Sequence, residues 1–263
     1  MPTTYAHHRF GCDALARMPE ALQAVVREHR ALYDFGVHGP DLLFYYRPLV
    51  KNRVNELGNA CHTENGLRFF ARVAKTVRAS VDHDAALSYA LGVLCHFALD
   101  REAHPYVDEK EQTGASHHEI EGSFDRCLME RDGLDPLTHK VSQPLHPSEL
   151  SALTISAFYP PLSTQEVHLS QLGMVFFIDL LVAPEGRKRT FMEKCMDAAK
   201  VSELKDRLVT LSPNPRCQDS DQRLSQLYDE ALALMDTLVP EFMAHLTERA
   251  PLGPGFDHTF SID

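Results

Sequence analysis

Three short stretches of the chain concentrate residue types that hold metal ions. The first is His96-Phe-Ala-Leu-Asp100-Arg-Glu-Ala-His104. Residues four apart share a face of an α-helix, so His96, Asp100 and His104 form one polar stripe. Leu91, Leu94, Phe97 and Leu99 around them are apolar, and a buried imidazole or carboxylate without a partner is costly. A divalent ion satisfies all three groups together, and mixed His/Asp ligation suits zinc, with other divalent metals possible. A core histidine hydrogen-bonded to an aspartate is the plainer alternative. The second stretch, His117-His118-Glu119-Ile120-Glu121, repeats the spacing at His117 and Glu121, with Asp125 one turn further on. Alone it would read as a charged surface helix, and His118 competes with His117 as the inward residue. His7, His62 and Asp41 complete the set as single residues; Asp41 follows Gly39-Pro40, where a carboxylate also serves as a helix N-cap.

These residues need helices to position them, and helical periodicity dominates the chain while strand alternation is nearly absent. Amphipathic or apolar patterns predict helices over 13–30, 65–81, 84–99, 117–130, 147–159, 165–181, 186–200 and 221–249. The segment 84–99 is apolar on every side and so reads as central. Pro105 is expected to close or kink it just after His104. Pro160-Pro161, Pro213-Asn-Pro215 and the tail from Pro251 mark the breaks. No linker stands out, so the expectation is an all-α protein of one domain, 1–263, with the metal site drawn from 1–125 and a helical remainder over 131–250.

Composition sets limits on function. The chain has 263 residues, 44% of them hydrophobic and 24% charged, which is ordinary for a globular protein. Its formal net charge of −11 argues against an extended nucleic-acid surface built on basic patches. The longest apolar run, 172–183, is interrupted by Asp179 and is too short for a transmembrane segment. No helix pattern presents an obvious membrane-docking face. The N-terminus lacks the pattern of a secretory signal, and six scattered cysteines without a C-x-x-C read as reduced thiols, so a cytoplasmic location is expected. Histidine is the outlier: twelve of the 15 lie at or before His146.

The set Thr3-Thr-Tyr-Ala-His7, Gly39-Pro40-Asp41, His62, His96-x-x-x-Asp100, His104-Pro105 and His117-x-x-x-Glu121 resembles the zinc-dependent phospholipase C family, related to secreted zinc nucleases that cleave single strands. The resemblance runs from the N-terminus to about Asp125. It implies an all-helical fold with three clustered zinc ions, and two to three ions are expected in this chain. Asp41, His62, His96 and Asp100 would hold the first, His104, His117 and Glu121 the second, and His7 with a bridging Asp100 the third. In the secreted relatives an N-terminal tryptophan completes the third ion. This chain has no tryptophan, and loss of Met1 would leave Pro2 as the candidate.

Zinc lowers the pKa of bound water to about 7, so such a site would make hydroxide available to attack phosphorus in a small phosphoester or phospholipid. Asp41 would be a ligand or the general base that orients that water. Two other readings stand beside this one: a family member that keeps metals for structure or sensing, and an HD-type phosphohydrolase built on His83-Asp84. No Glu-x-x-His pair, nucleophile elbow or Walker loop offers a further chemistry.

Overall fold

A computed structural model describes residues 4–198, 205–206 and 208–261. It is all-α, with no strand among the described residues. The helices are α1 (Thr4–Arg17), α2 (Glu20–Glu28), α3 (Arg30–Gly36), α4 (Arg53–Thr63), α5 (Gly66–Ala79), α6 (His83–Glu111), α7 (His117–Arg131), α8 (Glu149–Ser156), α9 (Thr164–Leu181), α10 (Arg187–Ala198) and α11 (Gln218–Glu248). The 3-10 turns Gly39–Tyr45 and Pro254–Phe256 also belong to the order. Buried apolar side chains from Tyr5 to Phe260 form one cluster, and Ala183, Met192 and Leu208 form a small second one.

Helix α6 is the axis of the molecule. Every residue from Ala85 to Asp100 is buried, because α1, α3, α5 and α11 all pack against it. Asp82, rather than Asp84, starts the helix: its side chain accepts the Ala85 N–H at 3.0 Å. The expected stop at Pro105 does not occur, and α6 continues to Glu111. Pro105 lies on the exposed side, where water can satisfy the carbonyl that the missing N–H leaves behind. That extension carries His104 and Asp108 on the same rigid element as His96 and Asp100.

The N-terminal pattern over 13–30 also resolves differently. Pro19 divides it into α1 and α2, since a residue before proline avoids the helical region. A further break at His29 begins α3. Helix α1 instead reaches back to Thr4, because Asp125 of α7 caps it: the carboxylate accepts the Tyr5 N–H at 3.0 Å and the Ala6 N–H at 2.7 Å. Serine–glutamate capping boxes start α7 (Ser116, Glu119) and α9 (Ser163, Glu166). No pattern in 53–63 predicts a helix, yet α4 forms there behind the Asn52 cap and places His62 in its last turn.

Candidate metal centre

All eight residues expected from the sequence meet around the C-terminal half of α6. Their donor atoms fall into three sets whose members lie within 4.8 Å of one another: His7, His96 and Asp100; Asp41, His62 and His96; His104, His117 and Glu121. Asp100 is the hub. One carboxylate oxygen lies 3.2 Å from His7 Nε2 and the other 3.1 Å from His96 Nε2. His62 Nε2 stands 3.0 Å from Asp41 Oδ1. On the outer side His117 Nε2 is 2.8 Å from Glu121 Oε1, with His104 Nε2 at 3.6 Å from the same oxygen. The structure thus differs from the family partition in two respects: His96 joins both the Asp41/His62 set and the His7/Asp100 set, and Asp100 belongs only to the latter. Of the adjacent pair, His117 turns inward, and His118 lines a cavity beside Asp125.

Each arm of the site has a local cause. Gly39, at φ 47°, bends the chain so that the following turn presents Asp41, and a side chain at 39 would collide with the His96 ring. The Asp41 N–H donates to the His38 carbonyl at 3.0 Å, which fixes that turn. His38 is itself buried, its ring 6.4 Å from that of His7, and burial with neighbouring histidines pushes its pKa well below the usual value. Its adjacency to Gly39-Pro40-Asp41 is the signal that sequence reasoning left unused.

Three of the five imidazoles have their far nitrogens held as metal-ligating histidines require. His62 Nδ1 faces the Gly58 carbonyl at 2.7 Å, His104 Nδ1 the Phe260 carbonyl at 2.6 Å, and His117 Nδ1 the Asp108 carboxylate at 3.2 Å. Phe260 belongs to the C-terminal tail, which the sequence placed outside the site. Its ring packs on those of His62 and His96, and its N–H donates to the His62 carbonyl at 3.1 Å. The tail is pinned there by Gly66 N–H to the His258 carbonyl at 2.7 Å and by Arg101 to the Gly255 carbonyl.

A hydrogen-bonded histidine–aspartate core does not account for this arrangement. His7, His96 and Asp100 have side chains 0% exposed. Both nitrogens of His7 and His96 and both oxygens of Asp100 nonetheless make no hydrogen bond. Separations of 3.0–3.2 Å match the ~3.3 Å edge of a tetrahedron with bonds of about 2.0 Å, so a zinc ion fits between the donors. Electrostatics agree. Burial would raise the Asp41 pKa, yet His62 and His96 hold it down at about 2. Asp100 is likewise held well below the carboxylate range against its burial by His96 and His104. Burial lowers the pKa of His96 and favours the neutral imidazole that binds metal. His104, despite burial, is drawn up to about 9 by Asp100 and Glu121, so a proton stands in for a cation there.

Two expectations from the sequence fall away or lie out of reach. His83 and Asp84 are half exposed at the start of α6, 3.3 Å apart, and belong to no three-residue ligand set among the described residues. An HD-type centre has no third donor there. Pro2, the candidate for completing the third ion, lies outside the described residues.

No curated protein and no solved structure matches the chain. A family profile does: zinc-dependent phospholipase C, over residues 6–162, a span that contains every one of the eight donor residues. Together with the His/Asp/Glu sets, that match supports a zinc-dependent hydrolase. The chain belongs to the zinc-dependent phospholipase C family.

Proposed function

We propose that the chain, acting as one domain, is a phosphodiesterase of the phospholipase C type with two to three divalent ions held by His7, Asp41, His62, His96, Asp100, His104, His117 and Glu121. One observation carries the reading: donors from five separate elements converge on an interior that leaves His7, His96 and Asp100 without hydrogen bonds. Bound divalent ions would supply Lewis acidity and ionised water near neutral pH. The chain's own contribution is position and charge. Asp100 ties the sets together, and the Gly58 and Phe260 carbonyls with Asp108 aim the imidazoles. Asp41, ionised at all ordinary pH, accepts and orients a proton of the attacking water rather than storing it. His117, its side chain 23% exposed, marks the side from which substrate reaches the site.

Zinc-loaded protein assayed on a short-chain phosphatidylcholine tests this. His96→Ala and Asp100→Asn should each lose turnover by more than ~100-fold, and His83→Ala should keep it. Loss in the His83 variant alone would sink the assignment. A second reading, metals kept for structure, is favoured by the full burial of His7, His96 and Asp100. It becomes the better one if fully metallated protein turns over no phosphoester in a broad panel.

A further inference from the structure

Helix α9 lies beyond the family match and shows an unusual surface. Its inner face packs on α8 and on the turn bearing Asp41. Gly173 sits directly against the Tyr45 carbonyl, where a side chain would not fit. The outward stripe is Leu169, Leu172, Phe176 and Leu180, spaced three, four and four residues apart. Phe176 is 60% exposed and Leu172 46%. No charged residue lies between Glu166 and Asp179, so the stripe runs uninterrupted for about 16 Å. Both of those end residues are engaged, Glu166 by Arg53 at 2.6 Å and Asp179 by Ser142 and Lys140. The loop leaving Tyr45 adds Leu49 at 73% and Val50 at 63% exposure, within the wholly exposed stretch Arg47-Pro-Leu49-Val50-Lys51.

We infer that the stripe on α9, with the Leu49/Val50 loop, docks the protein on an anionic lipid surface. The inference rests on the phospholipase reading for the choice of substrate, and three observations favour lipid as the occupant. Exposed Arg47 and Lys51 bracket the apolar loop tip, and exposed Arg187 and Lys188 follow the end of α9. In a chain of net charge −11 these cations stand at the rims of a helix face that carries no charge. Exposed Glu149 and Glu185 oppose them, so the surface is cationic at two edges rather than throughout. Amphipathic apolar faces with basic flanks bind headgroup and acyl regions together. A second copy seated symmetrically on the same face would instead bring like-charged rims together.

The third observation is a cavity of about 100 Å³ beneath this surface. Ile178, Leu181 and Val182 line one side of it. Thr4 of α1 with His118 and Asp125 of α7 line the other, and those two helices carry His7, His117 and Glu121. An amphiphile held at α9 therefore has an apolar recess next to the metal-binding elements.

Co-sedimentation of the zinc-loaded full chain with phosphatidylcholine vesicles, with and without phosphatidylserine, tests the inference without requiring turnover. Wild type should sediment with both and more with phosphatidylserine, the increment shrinking as salt rises. Leu172→Asp with Phe176→Asp should weaken partition by at least ~10-fold while metal content is unchanged. Leu49→Asp with Val50→Asp, in an exposed loop, gives the same readout should the helix variant fold poorly. Arg47→Glu with Lys51→Glu should remove the phosphatidylserine increment alone. Wild type that binds neither vesicle overturns the inference, as do patch variants that bind like wild type. A wild-type dimer that the α9 variant dissociates, with no vesicle binding, assigns the face to a second copy. Vesicle binding by a chain that holds no metal would leave docking standing and defeat the enzymatic reading.

Discussion

The two functional regions invert the usual partition of side chains in opposite directions. At the core of the metal-binding region, a carboxylate and two imidazoles have no exposed surface, although charged and polar residues seldom lie buried without partners. On α9, a phenylalanine and three leucines face outward at helical spacing. Each region is incomplete in the chain by itself. A bound cation would satisfy the donors of the interior one, and an apolar phase would cover the outer one. The contrast separates the two proposed partners: an ion held inside the fold and a lipid surface met from outside.

The largest expected effect breaks the interior region. Each ion held at a thousandfold above its dissociation constant adds on the order of 4 kcal/mol to folding. Chelation should therefore lower the melting temperature by more than ~10 °C. Differential scanning calorimetry on protein stripped of metal, with loss verified by elemental analysis, measures it. Asp100→Asn should bind at least one ion fewer and show a smaller response to chelator. Patch variants on α9 should respond to chelator as wild type does. A melt unchanged by verified stripping would mean that the donors do not tie α1, α4, α6 and α7 together.

How far these regions were legible follows from what each is made of. The interior set announces itself because ligands must be particular residue types, and the four-residue spacing in α6 and α7 survives any error in helix ends. Hence all eight side chains that meet around α6 are nameable from sequence although Pro19 splits the helix expected over 13–30 and no pattern marks α4. The Phe260 carbonyl behind His104 carries no such mark, since every residue has a carbonyl and 156 positions separate the pair. The α9 stripe was hidden for a different reason. In sequence, the run 172–183 looks like core, and only packing shows that Ile178 faces inward while Phe176 and Leu180 do not. Pro105 misled because its effect depends on which side of the helix meets water.

The C-terminal tail offers an intermediate test, since it serves the interior region from the far end of the chain. Phe260→Ala removes a fully buried ring that packs on Phe69, Phe97, His62 and His96. Truncations of this kind cost about 3 kcal/mol or more. The loosened tail should also cost the His104 site ~10-fold or more in zinc affinity, as lost support of a ligating imidazole does. Urea melts and a competitive zinc titration check the two parts. A destabilised variant with wild-type zinc affinity would show that the tail packs the core without orienting His104.

The smallest expected effect sharpens the contrast with a half-buried carboxylate that needs no metal. Asp221, in the first turn of α11, accepts the Ser123 hydroxyl at 3.0 Å through one oxygen, while its other oxygen makes no hydrogen bond. Burial, opposed by Ser123 and Arg131, raises its pKa to about 6. A raised carboxylate pKa means that the folded state holds a proton the unfolded chain has already lost. Between about pH 4 and pH 6 the folded form therefore binds more protons, and this residue's contribution to stability falls as pH rises through that window. Above it, the ionised group remains a standing cost, reduced by the solvent that still reaches it. Asp221→Asn keeps an acceptor for Ser123 and removes the charge. It should be more stable than wild type by ~1 kcal/mol at pH 7, with the gain gone by about pH 4. Because no metal enters this balance, the gain should be the same in stripped and loaded protein. Urea melts across that pH range decide the matter, and a gain that persists at pH 4 would show that Asp221 acts through packing rather than charge.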